Sequence, residues 1–234
     1  MTQADFRALA RRAARRYGAA DPFARHFAFG KLTRDPFFRH VLEAGLIPRD
    51  ARVLDLGCGQ GVLEALLAAA ADDARSWPAD WPPAPAPRSL RGIDLAQRDL
   101  SRARRAGGPR TSFDCADIRG ASFGDVDAVL MIDVLHYLER DAQDAVLERA
   151  RRALAPGGVL LARVADASPS LRFRLTLAAD RLASRLRGLR VGELHCRSAE
   201  AWTRRLAELG FAVEARPMSA GTPFANVLLV GRAA

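Results

Sequence analysis

The chain has 234 residues, a length that suits one α/β domain with a modest extension. Its hydrophobic content of 49% is enough for a buried core, which excludes global disorder. The formal net charge of +9 would suit a nucleic-acid partner, but only one of the 36 basic residues is a lysine, Lys31. Such arginine usage, with abundant Ala, Gly and Pro, is typical of a GC-rich coding sequence and weakens the nucleic-acid interpretation.

Targeting and redox signals are few. No apolar run approaches the roughly 18 residues that span a bilayer, so no transmembrane segment is predicted. The Arg- and Ala-rich start lacks the apolar core of a secretory signal, which favours an amphipathic first helix over a transit peptide. The cysteines Cys58, Cys115 and Cys196 are scattered, odd in number and without zinc spacing. They predict a reducing, cytoplasmic compartment, with neither disulfides nor a metal site.

The predicted elements alternate between helices and strands after a helical start. Helical segments are expected at 3–17 and 35–45, the second begun by Asp35-Pro36 and ended by Gly45. Strands are expected at 52–56, 89–94, 111–115, 126–132, 159–164, 211–215 and 227–231, and helices at 62–72, 96–106, 141–154 and 198–209. This order predicts an α/β fold with a doubly wound, seven-stranded, mostly parallel sheet, a C-terminal antiparallel hairpin and a helical N-terminal extension.

The chain is expected to divide into a helical lid segment, residues 1–50, and one ligand-binding domain, residues 51–234. A Pro-rich insert at 75–88 interrupts that domain and cannot form regular structure. It joins a helix to the next strand, so it should lie at the sheet edge opposite the ligand. Its Trp77 and Trp81 are therefore interpreted as part of a surface loop or a docking site for a partner.

The most informative motif is a glycine loop at the end of the first strand, where residues 53–61 read VLDLGCGQG. The glycines at 57, 59 and 61 let the backbone turn sharply and let a ligand lie against bare main chain. The spacing differs from the dinucleotide fingerprint G-x-G-x-x-G, and Asp55 lies just before the turn. Because an acid repels a pyrophosphate and attracts an ammonium, the loop favours a cofactor with a cationic amino-acid end.

The second strand also ends in a carboxylate, Asp94. In a doubly wound sheet the ligand lies beyond the carboxyl ends of the strands, and a carboxylate there can accept two hydrogen bonds from ribose hydroxyls. The alternative is that Asp94 only caps the next helix. Its distance from the glycine loop exceeds the usual spacing of about 20 residues, which the Pro-rich insert explains.

The glycine loop resembles motif I of the class I S-adenosylmethionine (SAM)-dependent methyltransferases, and the run LAPGG at 154–158 resembles the L-x-P-G-G before that family's fifth strand. The similarity covers roughly residues 50–165 and implies SAM as the cofactor. By this resemblance the loop contacts come from Asp55, Gly57, Cys58, Gly59 and Gly61, with Cys58 as a small filler and not a nucleophile.

The resemblance also implies cofactor contacts at the other strand ends. Asp94 and Leu95 follow the second strand, and Asp117 would take the adenine amine while the backbone N–H of Ile118 meets a ring nitrogen. The alternative for Asp117 is a simple turn aspartate. Past the fourth strand, a backbone carbonyl at Ile132 or Asp133 would meet the cofactor's amino group.

The acceptor is expected to be a small or carrier-bound apolar molecule. The fourth strand runs into residues 132–138, IDVLHYL, without the Asn/Asp-Pro-Pro-aromatic or Pro-Cys motifs of nucleobase methylation, which disfavours a nucleobase acceptor. In-line transfer to a phenol, carboxylate or amine needs alignment and at most a modest base. The candidate bases are His136, beside the expected methyl position, and His195; each could instead serve only in packing.

The segment before the first strand supplies further candidates. Lys31 or Arg34 would meet the cofactor carboxylate or the substrate, and Tyr17, Phe27 and Phe29 would form an apolar wall for the acceptor. The alternative is a surface-packed linker. The segment resembles that of methyltransferases encoded among bacterial polyketide, fatty-acid and pigment pathways. Tyr137, next to His136, completes the substrate-side set.

A basic amphipathic segment covers 171–191, within an acceptor-side region at 166–197. Its leucines share a helical face and its arginines lie largely elsewhere: Leu171, Leu175, Leu182, Leu186 and Leu189 against Arg172, Arg174, Arg181, Arg185, Arg187 and Arg190. Three interpretations remain open, namely a helix packed on the acceptor site, a surface for an acidic partner, and a peripheral membrane contact. For the chain as a whole, the alternatives are a non-catalytic SAM-fold partner protein and a nucleic-acid or protein methyltransferase.

Overall fold

The computed structural model describes residues 1–72, 77–186 and 193–234. The strands are β1 (Arg52–Leu56), β2 (Ser89–Asp94), β3 (Thr111–Cys115), β4 (Val126–Ile132), β5 (Leu154–Ala165), β6 (Phe211–Pro217) and β7 (Asn226–Ala233). The helices are α1 (Gln3–Arg15), α2 (Pro22–Arg34), α3 (Pro36–Glu43), α4 (Val62–Asp72), α5 (Gln97–Ala106), α6 (Arg140–Ala153), α7 (Leu171–Leu186) and α8 (Ala199–Glu208), with a 3-10 turn at Leu135–Tyr137.

The seven strands form one sheet in the order β3-β2-β1-β4-β5-β7-β6. Strands β1 to β5 are parallel, and β7 runs antiparallel to both β5 and β6. This confirms the predicted doubly wound α/β sheet with its C-terminal antiparallel hairpin. The order in which strands are added reverses between β1 and β4, because β2 and β3 extend the sheet on one side and β4 and β5 on the other. The carboxyl ends of β1 and β4 therefore flank the crevice in which such sheets bind ligands.

The sheet is covered on both faces by apolar helices. Helices α1 to α4 pack on one face, where α1 buries a stripe of Phe6, Leu9 and Ala13. Helices α6 and α8 cover the other face with Val146, Leu147, Trp202 and Leu206. Burial of each of these larger apolar side chains contributes roughly 1.5–3 kcal/mol, so the two layers hold the strand ends in fixed positions.

One helix was missed by the sequence prediction, which treated the residues from Phe27 to Arg34 as a lid or linker. They belong to α2, whose N-cap Asp21 accepts a hydrogen bond from the Ala24 backbone and whose first residue is proline. The buried stripe of α2 consists of Ala24, Ala28 and Leu32. Two of these are alanines, and bulky Phe23 and Phe27 are exposed, so the helix carries almost no amphipathic signal.

The interpretation of the Pro-rich insert as a surface loop is wrong for its second tryptophan. Trp81 is buried and packs with the helices at the N-terminus, and the Arg39 guanidinium lies 5.9 Å from its ring centroid. Trp77 crosses Trp81 edge-on at 5.8 Å and donates its indole N–H to the Pro82 carbonyl at 2.7 Å. Two rings thus pin an irregular segment to the core, which a composition rich in proline does not reveal.

Strand β5 begins five residues earlier than predicted, because the Pro-Gly-Gly turn lies inside it as an irregularity. Leu154 pairs with Val126, and the register then shifts so that Val159 pairs with Ala128. A Cβ on Gly158 would lie 2.8 Å from the Ala155 carbonyl oxygen, so only glycine fits this crossing.

The predicted amphipathic segment is helical from Leu171 to Leu186. Leu171, Leu175 and Leu182 are exposed on it. The remaining leucines of the predicted apolar face, at 186 and 189, and the arginines at 185, 187 and 190 have side chains that lie outside those described. Within the described ranges, no helix is long and apolar enough to cross a membrane.

Candidate active site

The glycine loop, residues 57–61, follows β1 in a backbone conformation that residues with side chains rarely adopt. Gly57 has φ +82°, and a Cβ there would lie 2.6 Å from a Val134 methyl carbon. Gly61 has φ +72°, and its Cβ would lie 2.9 Å from that of Ala103. The loop therefore packs directly against the end of β4 and against α5, and its main chain is presented without side chains.

Two side chains fix the loop from opposite sides. The Asp94 carboxylate accepts from the Gly59 N–H and the Ala96 N–H, each at 2.8 Å. The buried Tyr17 hydroxyl donates to the Gln60 carbonyl at 2.8 Å. Asp94 is thus both a helix cap and a loop anchor at the ligand side, and Tyr17 lies beneath the loop, outside the lining of the groove described below.

Two buried carboxyl groups lie under the loop. Asp55 is 4% exposed and Glu64 is 1% exposed. Burial raises the pKa of Asp55 to about 7, and burial followed by the nearby Asp55 raises the pKa of Glu64 well above its ordinary value. Within the described ranges, Asp55 Oδ1 and both Glu64 oxygens have no hydrogen-bond partner. A cation bound nearby would stabilise the ionised form of these carboxyl groups, so the pair favours a ligand with an ammonium group.

Glu64 was missed by the sequence analysis, although a signal existed. It is the single charged residue in the otherwise apolar first three turns of α4, VLEALLAAAA. A charged residue on an all-buried helix needs a reason other than solvation. Its position beside Asp55 under the glycine loop marks Glu64 as a candidate site residue.

The residues expected around the adenine lie at the ends of β2 and β3. Leu95 is 62% exposed, which leaves apolar surface at the end of β2. Asp117 is paired with Arg119 at 2.6 Å, and the hydrogen bond from Arg119 lowers the pKa of this aspartate. Ile118 is buried beside them. Cys58 lies against Gly92 from the loop side, and burial raises the pKa of its thiol well above the ordinary value, as fits a small packing residue.

A network of four charges holds the carboxyl end of β4. Asp133 has φ +58°, and its carboxylate receives both the Arg163 guanidinium and, at 3.4 Å, the Lys31 ammonium. The same guanidinium reaches Asp35 at 2.5 Å. Burial would raise the pKa of Asp133, but the charges of Arg163 and Lys31 outweigh it and hold that pKa well below its usual range. The strained backbone of Asp133 is thereby fixed by ion pairs.

This network ties α2, β4, β5 and the α2–α3 corner together at the site. Lys31 was predicted to meet the cofactor carboxylate, and the structure pairs it with Asp133. Arg163 and Asp35 were not singled out as site residues. Arg163 is the single charged side chain in the strand sequence LAPGGVLLARVA and is 1% exposed, which is a signal that the sequence does carry.

His136 lies next along the chain, in the 3-10 turn after β4, with its side chain buried. Its Nε2 lies 3.5 Å from the Asp180 carboxylate of α7, and its ring centroid lies 4.3 Å from that of Tyr137. Neither ring nitrogen makes a hydrogen bond to any described residue. Burial lowers the pKa of His136 to about 4; Asp133 opposes this shift and Arg163 adds to it. The imidazole is therefore neutral near pH 7.

The second predicted histidine lies beside the first. The His195 backbone N–H donates to the His136 carbonyl at 2.9 Å, and the Gln143 side chain donates to the His195 carbonyl at 2.6 Å. The same Gln143 amide reaches the carbonyls of Leu135 and Leu138 at 3.1 and 3.0 Å. The buried glutamine thus holds the two histidine segments together, while the His195 imidazole stays half-buried.

A groove of about 770 Å³ opens at the same carboxyl edge, between the N-terminal helices and the β6–β7 turn. Its apolar lining includes Phe6, Leu32, Met218 and Phe224. Arg34 stands exposed on its rim, and Asp35, the partner of Arg163, lies in its wall. The groove and the charged network therefore share one residue.

Two of the predicted acceptor contacts lie elsewhere on α2. Phe27 is 46% exposed and stacks on Phe23, with ring centroids 6.3 Å apart. Phe29 packs against the helical core, and the guanidinium groups of Arg7 and Arg11 lie 5.6 and 5.7 Å from its ring centroid. Neither ring is part of the groove lining.

The family model of a methyltransferase domain matches residues 24–216, most of the chain. No curated protein sequence matches. Among solved structures, 1097 chains match, a breadth that identifies the fold without indicating the acceptor.

Three solved structures illustrate the likeness. An O-methyltransferase family protein from Burkholderia thailandensis is 23% identical with a TM-score of 0.62, over 96% of this chain and 64% of that one, so the chain spans less than two thirds of that protein. Magnesium protoporphyrin IX methyltransferase from Synechocystis PCC 6803, with S-adenosylhomocysteine bound, is 16% identical with a TM-score of 0.61 over all of both chains. An N-methyltransferase from Bradyrhizobium japonicum WM9, also with S-adenosylhomocysteine, is 19% identical with a TM-score of 0.57 over 97% of each chain.

Proposed function

Because the chain belongs to the methyltransferase-domain family and is an S-adenosylmethionine-dependent methyltransferase, we propose that its acceptor is a small or carrier-bound apolar molecule. The reaction is an in-line displacement in which the protein aligns the acceptor and removes one proton. We assign the acceptor to bacterial secondary or lipid-like metabolism and the reaction to the cytoplasm. Free cysteines at Cys58, Cys115 and Cys196 support the reducing location.

The residues at the glycine loop fit the cofactor. The loop presents main chain without side chains, and Gly57 is required where a Cβ would clash with Val134. Asp55 Oδ1 is buried without a hydrogen-bond partner among the described residues, and an ammonium group would supply one. Asp94, whose carboxylate lies beside the loop and accepts from the Gly59 and Ala96 N–H groups, is proposed to accept the ribose hydroxyls as well. When bound, S-adenosylmethionine supplies an electrophilic methyl group on a sulfonium, so the protein needs no covalent nucleophile.

His136 is the proposed base. It lies directly after β4, it is neutral at working pH, and its ring nitrogens have no hydrogen-bond partner among the described residues. A neutral imidazole can take a proton from an acceptor hydroxyl, amine or carboxylic acid. His195 is held beside it through the main chain and is proposed to close the acceptor side, with Tyr137 next to the base.

The apolar acceptor is supported by the groove at the carboxyl edge, which adjoins the charged network through Asp35 and whose lining includes neither His136 nor a residue of the glycine loop. Its Phe6, Leu32, Met218 and Phe224 would surround an apolar body, and Arg34 on the rim would meet an anionic group such as a carboxylate or phosphate. Its volume of about 770 Å³ suits a molecule of drug-like size.

A nucleic-acid acceptor is disfavoured by the use made of the arginines. Several of them are paired with carboxylates of the protein, including Arg52 with Asp127, Arg102 with Asp21 and Arg205 with Glu148. Arginines that neutralise internal carboxylates do not release counterions from a phosphate backbone. The count of 36 basic residues therefore overstates the basic surface.

The test is transfer of a labelled methyl group from S-adenosylmethionine into a bacterial extract, followed by separation into organic-extractable molecules, carrier protein, other protein and RNA. Label in the organic or carrier fraction supports the proposal, and label in RNA or in proteins at large would overturn it. The variant Asp94→Ala should lose S-adenosylhomocysteine binding in calorimetry, while Glu200→Gln, which changes an exposed charge on α8, should bind as the wild type does.

A further inference from the structure

Helix α7 carries one acidic residue in its sequence LRFRLTLAADRLASRL, and that residue points inward. The side chain of Asp180 is 23% exposed and lies 3.5 Å from His136 Nε2. One turn earlier, buried Thr176 accepts a hydrogen bond from the Ala225 backbone at 3.0 Å. The polar face of α7 is therefore seated on the carboxyl edge of the sheet, with Asp180 over the base.

The His136 ring otherwise has no group that selects its tautomer. Both ring nitrogens are buried and without hydrogen bonds to the described residues, and the Asp180 carboxylate is the group at ion-pair distance. An imidazole acts as a base through one nitrogen only when the other carries the proton. We propose that Asp180 is a positioning residue, whose carboxylate accepts a hydrogen bond from the Nε2–H of His136 and so leaves the lone pair of Nδ1 to take the acceptor's proton. This inference rests on the proposed function of His136.

The proton balance of the step is simple. The acceptor gives its proton to Nδ1 of His136 and gains a methyl group, so the one positive charge of the sulfonium ends on the imidazolium. Asp180 stays ionised and stabilises that imidazolium from the Nε2 side. The proton then passes to solvent after the product leaves.

Among the described residues, the charges that face Asp180 come from four other elements. They are Asp133 at the end of β4, Lys31 on α2, Arg163 on β5 and the thiol of Cys196 before α8, besides His136 itself. Burial raises the pKa of Asp180 to about 7, with Asp133 adding to the rise while Lys31 and Arg163 oppose it.

The sign of the pH dependence follows from these charges. Asp180 is protonated below about pH 7 and ionised above it, whereas His136 is neutral throughout this range. The working pair is neutral His136 with ionised Asp180. Methyl transfer should therefore rise as the pH passes through about 7, and the variant Asp180→Asn should lose that rise.

The direct test is nitrogen NMR of the full-length protein labelled in its four histidines, with S-adenosylhomocysteine added. His136 is assigned by its loss in His136→Gln. In the wild type at pH 8 we expect the proton on Nε2 and a shift of both nitrogens as Asp180 titrates. Asp180→Asn should abolish that titration, Asp180→Glu should retain part of it, and Arg181→Gln, an exposed neighbour on α7, should leave it intact.

An unchanged His136 tautomer and titration in Asp180→Asn would overturn the proposal. Once an acceptor is known, Asp180→Asn should lower kcat by about tenfold to a hundredfold with little change in KM, because a general base contributes about 10²–10⁴ and only its orientation is lost. A fall in acceptor affinity with kcat unchanged would instead mark a structural contact and refute the positioning role. If no acceptor is methylated although the NMR coupling is present, the proposed function fails and the pairing stands.

Discussion

The two ends of the site shift the pKa values of their carboxyl groups in opposite directions. Under the glycine loop, burial raises the pKa values of both Asp55 and Glu64, and the charge of Asp55 raises that of Glu64 further. At the end of β4, Asp133 is also largely buried, yet Arg163 and Lys31 lower its pKa. The loop end therefore lacks positive charge, as suits a cationic ligand, whereas the β4 end is already neutralised and forms a rigid platform for the base.

The two ends also differ in how the chain builds them. The loop end is contiguous, since its turn, its acid and its helix start lie within about ten residues. The β4 end joins side chains from α2, β4, β5 and α7, which tertiary structure alone brings together.

Removing the central cation of the β4 end should have the largest effect. Arg163→Met leaves Asp133 and Asp35 without their shared guanidinium and should lower the free energy of unfolding by about 3–5 kcal/mol. The matched control is Arg52→Met, which breaks a partly exposed pair with Asp127 and should cost about 1 kcal/mol or less. Urea unfolding of both variants measures this; equal losses would contradict the platform interpretation.

Adding one methyl group to the loop end comes next. Gly57→Ala forces a side chain into φ +82° and to 2.6 Å from Val134, which should cost roughly 2–4 kcal/mol of stability. S-Adenosylhomocysteine affinity, measured by calorimetry, should fall at least about tenfold because the loop must move. The control Gly30→Ala places its methyl group in open space within α2 and should stabilise the protein by about 0.5–1 kcal/mol. Wild-type affinity in Gly57→Ala would show that the loop tolerates displacement.

The same contrast explains how much could be predicted from the sequence. The doubly wound sheet and the glycine loop were predictable because apolar runs, alternate glycines and the Pro-Gly-Gly turn act locally. The pairing of Asp180 with His136 was not, because it requires a helix 44 residues away to cross the strand end. Helix α2 was missed because its buried stripe is largely alanine, which gives a weak periodic signal.

Neutralising one of the paired acids should change the pH dependence of stability. With raised pKa values, the folded protein holds protons that the unfolded chain loses, so stability falls as the pH rises from about 4 toward about 7. Glu64→Gln removes one charge and should raise the free energy of unfolding at pH 8 by roughly 1–2 kcal/mol, with less effect at pH 5. Urea unfolding at both values tests this, and Glu200→Gln is the exposed control. A variant less stable at pH 8 than the wild type would show that the acids are already compensated.

The smallest expected effect is that of Tyr17→Phe, which distinguishes between two roles for Tyr17. The sequence suggests a wall of the acceptor site, whereas the structure shows its hydroxyl donating to the Gln60 carbonyl of the loop. Tyr17→Phe removes that hydrogen bond and should lower stability by about 1 kcal/mol, because the buried carbonyl loses its donor. If Tyr17 supports the loop, S-adenosylhomocysteine affinity falls a few-fold and acceptor KM is unchanged; if it forms the acceptor wall, the reverse holds. Calorimetry and steady-state kinetics on the same variant decide whether α1 serves the cofactor end or the acceptor end.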